Sequence, residues 1–135
     1  MYPLLSRILS PLFVLAVLCA VGCTGGKSSD SAEDVNVKFK IQPEPPEVDD
    51  PATITLNLAD KEGKPVKEAK LKLEGNMNHA GMKPVFADAK EVEPGKYEAT
   101  LKLTMGGDWY VEVTGSLSDG RKLKRKFDVK GVKSR

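Results

Sequence analysis

Met77, His79 and Met82 stand at spacings of two and three within Gly75-Asn76-Met77-Asn78-His79-Ala80-Gly81-Met82. His79 is the only histidine of the chain, and Met77 and Met82 are two of its four methionines. Thioether sulfur and imidazole are donors that suit a soft ion such as Cu(I). A thioether has no proton to lose, and neutral imidazole is available at neutral pH. Zn(II) suits the set less well, because the stretch holds neither a thiolate nor a carboxylate. Singly, each residue has a plainer reading. Methionine often fills a gap in a core, and a lone loop histidine is more often a surface residue than a ligand.

The flanking sequence has a period of two. Val35, Val37, Phe39 and Ile41 alternate with polar residues, as do Ile54, Leu56 and Leu58, then Ala69, Leu71 and Leu73. Such alternation puts one face of a strand in a core and the other in water. Val85 to Val92 is a weaker strand with mixed periodicity and two alanines. Tyr97, Ala99, Leu101 and Leu103 alternate next, followed by Trp109, Val111 and Val113, and then Leu123, Phe127 and Val129. Asp60-Lys61-Glu62-Gly63, Glu93-Pro94-Gly95-Lys96 and Ser118-Asp119-Gly120 carry turn chemistry, the second in the type II pattern of proline then glycine. Seven short strands and no helical period predict an all-β, seven-stranded antiparallel Ig-like β-sandwich over residues 35–129. A C-terminal tail of residues 130–135 follows it. Trp109 is expected to anchor the core, where its N–H needs a partner.

Successive antiparallel strands reverse direction, so their connections alternate between the two ends of the sandwich. The first (Pro43 to Pro51), third (Glu74 to Lys83) and fifth (Met105 to Asp108) then share one end. Met77, His79 and Met82 thereby face Met105, a fourth candidate ligand. Met105 also continues the inward series Leu101 and Leu103 by one step, and that parity makes it a cap of the core first and a ligand second. Glu44, Glu47, Asp49 and Asp50 of the first connection could help hold a harder ion, although such residues are more often solvated loop.

The N-terminus is of another kind. Residues 1–22 carry one charge, Arg7, and an apolar run from Pro11 to Val21 that is too short to span a bilayer as a helix. This is the composition of a secretory signal. Ala20-Val21-Gly22-Cys23 resembles the lipobox of bacterial lipoproteins, which implies that Cys23 becomes the lipidated first residue. The only other cysteine, Cys19, would leave with the signal. Residues 23–34 would be a lipidated cysteine and a flexible tether, rich in small and polar residues. Thr24 after Cys23 resembles the outer-membrane pattern of Gram-negative lipoproteins. In a Gram-positive cell the chain would sit on the outer face of the cytoplasmic membrane.

Met77-Asn78-His79-Ala80-Gly81-Met82-Lys83-Pro84, Pro94-Gly95-Lys96-Tyr97 and Met105-Gly106-Gly107-Asp108-Trp109-Tyr110-Val111 together resemble the YtkA-like family, related to FixH-type domains. The resemblance implies a small exported Ig-like β-sandwich, often a lipoprotein. In some relatives such a domain stands beside copper handling or cytochrome oxidase assembly. A metal role carried over from the family would fall on Met77, His79, Met82 and Met105.

Catalytic patterns are absent from the sequence. There is no Gly-x-Ser-x-Gly, Cys-x-x-Cys or His-Glu-x-x-His, and one histidine cannot fill several catalytic roles. No small-molecule substrate is indicated. The formal charge of +2 over 135 residues does not point to nucleic acid. Arg121-Lys122-Leu123-Lys124-Arg125-Lys126 is the densest charge. It is read first as protection of an edge strand and second as a contact for anionic head groups. Two functional readings stay open. One is a membrane-anchored, extracytoplasmic Cu(I)-binding domain. The other is a metal-free adaptor that binds a membrane-protein partner through its loops or edges.

Overall fold

The computed structural model describes residues 31–135. The expected signal sequence, Cys23 and the start of the expected tether lie outside the described residues. Seven strands follow the alternating pattern: β1 (Asn36–Gln42), β2 (Pro51–Ala59), β3 (Lys70–Asn76), β4 (Val85–Glu93), β5 (Lys96–Lys102), β6 (Gly107–Ser116) and β7 (Lys122–Val132). They form one antiparallel sheet in the order β1-β2-β5-β4-β3-β6-β7.

The sheet folds over on itself at β4. Its first half pairs with β3, from Leu71↔Ala89 to Gly75↔Val85. Its second half pairs with β5, from Lys90↔Glu98 to Glu93↔Lys96, across an irregularity between Glu91 and Glu93. The two halves close around a core of Ile54, Leu56, Leu73, Leu101, Val111 and Val113, with Tyr97 and Trp109 as its largest side chains. The free edges, β1 and β7, curl toward each other, and the Phe39 and Phe127 rings stack between them at 4.7 Å and 12°. A cleft of about 320 Å³ remains there, lined in part by Ile41, Pro46 and Val129. The result is a sandwich close to a barrel, closed along one side by β4 and open along the other.

Both ends of the sequence-predicted domain extend further than expected. Val132 is buried, so β7 continues past Val129. Ser31 to Asp34, expected as the last part of the tether, are pinned to β7. Ala32 is buried and its N–H donates to the Lys122 carbonyl at 2.7 Å. Arg125 Nη2 donates to the carbonyls of Ala32 and Val35 at 2.8 and 2.9 Å. Arg121 pairs with Asp34 and Asp119.

Candidate functional site

The alternation of connections holds, because every strand pairing is antiparallel. At one end the Asp49 N–H donates to the Leu103 carbonyl at 2.9 Å, and Val48 N–H to the Lys133 carbonyl at 3.0 Å. These bonds join the first connection to the fifth and to the C-terminus. At the other end Leu58 N–H donates to the Gly95 carbonyl, and Tyr97 bridges the second connection.

The third connection leaves β3 at Asn76 and enters β4 at Val85. Gly81 has φ +82, and Met82 N–H reaches the His79 carbonyl at 3.4 Å. His79-Ala80-Gly81-Met82 is therefore a tight turn with glycine in its third place, where a left-handed residue is required. That turn holds His79 and Met82 close along the chain. Met77 and Met82 are half-buried and pack against the core, while His79 is exposed.

Met77 also reaches across to the fifth connection. Its Cε lies 3.3 Å from where a Cβ would stand on Gly107, a residue at φ +116. A bare glycine backbone gives the methionine room there. The third and fifth connections are thus in contact through Met77.

Met105 is corrected by the structure. The inward series predicts a core residue, but the side chain is 45% exposed. β5 ends at Lys102, Leu103 is the last buried member, and the chain then turns out of the sheet. The Met105 carbonyl accepts the Trp109 indole N–H at 2.8 Å, which supplies the partner that the buried ring needs. The thioether is consequently at the rim and free of the core.

Gly75 shows what positions this end. A Cβ on Gly75 would lie 2.7 Å from Val85 Cγ2 and 3.7 Å from the Trp109 ring. The clash is with Val85, so the bare glycine lets Val85 pack close over β3, with Trp109 and Leu103 at ordinary contact distance. Asp108 fixes the fifth connection to β7. It accepts from Gly131 N–H at 3.0 Å and lies 3.5 Å from Lys130 Nζ. The Gly131 N–H, followed by Lys130, holds its carboxyl below the usual range. Arg135 pairs with Asp50 on the first connection. Among the described residues no three His, Cys, Asp or Glu side chains gather as a metal site, so the acidic first connection does not form one. A soft-metal reading rests on the methionines and His79 alone.

Sequence reasoning missed two side chains that shape the molecule. Arg125 reads as one more charge on an exposed edge, yet it shares the parity of Leu123 and Phe127, the available sign that it turns inward. Tyr97 reads as plain core. Its hydroxyl donates to the Val66 carbonyl at 2.8 Å and accepts from Ala69 N–H at 3.0 Å. Burial, with Glu91 adding to it, pushes the phenol up to about 12.

With this geometry in place, the comparison with known families is direct: residues 30–114 match the YtkA-like family. The chain belongs to the YtkA-like family. Among solved structures, this YtkA-like chain is similar to a DUF4785 family protein from Legionella pneumophila, at 14% identity and TM-score 0.52, over 76% of this chain and 29% of that one. It spans less than a third of the Legionella protein. It is also similar to the superoxide reductase (neelaredoxin) from Ignicoccus hospitalis, at 17% identity and TM-score 0.50, over 82% and 89% of the two chains. Both likenesses concern the fold alone. No curated protein matches the chain.

Proposed function

We propose that this YtkA-like protein is a membrane-anchored, extracytoplasmic binding domain that handles Cu(I) through Met77, His79 and Met82, with Met105 as an optional fourth donor. Cys23 carries the anchor. The protein binds and passes the ion and catalyses no reaction. The observation that carries the reading is Met77 lying against Gly107. It puts the Met/His connection beside the one whose methionine stands free of the core. Three thioethers and one imidazole at one rim suit Cu(I) better than a harder ion.

The test is an anaerobic Cu(I) competition on residues 31–135, with a Met77/His79/Met82 triple alanine variant beside it. Tight binding that falls at least a hundredfold in the variant is expected. Weak binding that the variant leaves unchanged would sink the reading.

The alternative is a metal-free adaptor for a membrane-protein partner. The observation favouring it is two large apolar side chains left exposed on β4, Phe86 at 65% and Val92 at 49%. Crosslinking in membranes stripped of metal separates the two, since only the adaptor captures its partner there.

A further inference from the structure

The two ends of the sandwich are unequal with respect to the anchor. Ser31 and Ala32, where the described chain begins, bridge and hydrogen-bond to Lys122 at the start of β7. Arg125 and Arg121 hold the same segment through Ala32, Val35 and Asp34. The chain therefore joins the domain at the end that carries the second, fourth and sixth connections. Met77, His79, Met82 and Met105 lie at the opposite end, with the C-terminus.

Length decides what this means. β7 has 11 residues, so the sandwich is roughly 30 Å from end to end along its strands. Eight peptide units separate Cys23 from Ser31, and in any conformation they span at most about 28 Å. To bring the Met/His end onto the lipid surface, the linking residues would have to run the whole height of the domain, fully drawn out. Reaching the surface with the other end needs almost none of that length.

We propose that the Met/His end is presented away from the membrane that holds the anchor, and that its partner is a water-soluble metal acceptor or donor. With the strands standing up from the membrane, an acceptor embedded at the same lipid surface is out of its reach. This rests on the Cu(I) reading and on the anchor at Cys23, and it narrows the partner.

The experiment uses the full lipidated protein in phosphatidylethanolamine/phosphatidylglycerol vesicles that carry a head-group energy-transfer acceptor. Single cysteines replace two exposed residues, Ser118→Cys in the sixth connection and Ala80→Cys in the third, and each takes a donor dye. Transfer from position 118 should exceed transfer from position 80 at least twofold. Inserting twenty Gly/Ser residues between Gly25 and Gly26 should shrink that difference. Equal or greater transfer from position 80 on the native linker overturns the proposal, as does an N-terminus without lipid by mass. Copper transfer supplies the second arm. A soluble Cu(I) chelator should unload the protein at least tenfold faster than the same chelator fixed to a lipid head group, and equal rates overturn the proposal. A chain that binds no Cu(I) fails the functional reading instead, and the dyes still report which end faces the lipid.

Discussion

Tyr97 shows how much one side chain can hold. It is fully buried, and both hydrogen-bonding roles of its hydroxyl are spent on the second connection, at Val66 and Ala69. Tyr97→Phe keeps the ring but leaves that carbonyl and N–H without a partner, a loss of about 1–3 kcal/mol. The same group sets an alkaline limit. Its folded value of about 12 lies above the ordinary tyrosine value of 10, so the folded state keeps the proton longer than the unfolded one. Its contribution is complete below pH 10 and disappears as pH rises toward 12. Denaturant midpoints measured from pH 9 to 12 should fall steeply in the parent protein and less steeply in Tyr97→Phe. Parallel curves would remove Tyr97 as the cause. At the candidate site, residue type was legible in the sequence and placement only partly. Met77, His79 and Met82 could be picked out by spacing, but parity assigned Met105 to the core and was wrong there, because it has no force once the chain leaves the sheet.

At the scale of elements, period two located six of the seven strands, since each buries one face and wets the other. β4 was the weak one for a physical reason. Its inner face is made of Val85 and the small Ala87 and Ala89, while the larger Phe86 and Val92 lie on the outer side, 65% and 49% exposed. The charged run on β7 was legible as an edge, and β7 is one of the two edges of the sheet. Most of its cations have partners within the domain: Lys122 bonds Ser116, Lys124 pairs with Glu112, and Lys126 sits over the Tyr110 ring at 4.1 Å. Arg125 is the structural member. Arg125→Met keeps the aliphatic stem and removes the donors to Ala32 and Val35. Limited proteolysis should then cut within residues 31–35 of the variant at least tenfold faster, while global stability falls by about 1–3 kcal/mol. An unchanged cleavage rate would show that Ala32 burial alone pins the segment.

For the whole molecule, β4 has a consequence for how the fold comes apart. A sandwich made of two separate sheets can part along the plane between them, one sheet loosening while the other survives. Here one strand is a structural member of both halves, hydrogen-bonded to β3 by its first residues and to β5 by its last. Loss of either ladder takes part of the other with it, so the domain has no natural line of cleavage through its hydrogen bonds. Native-state amide exchange should therefore find one cooperative unit, with β3, β5 and the two ends of β4 opening at the same free energy. Distinct opening energies for β3 and β5 would refute this. The strand whose mixed pattern made it hardest to read is the one that makes the two halves a single thermodynamic body.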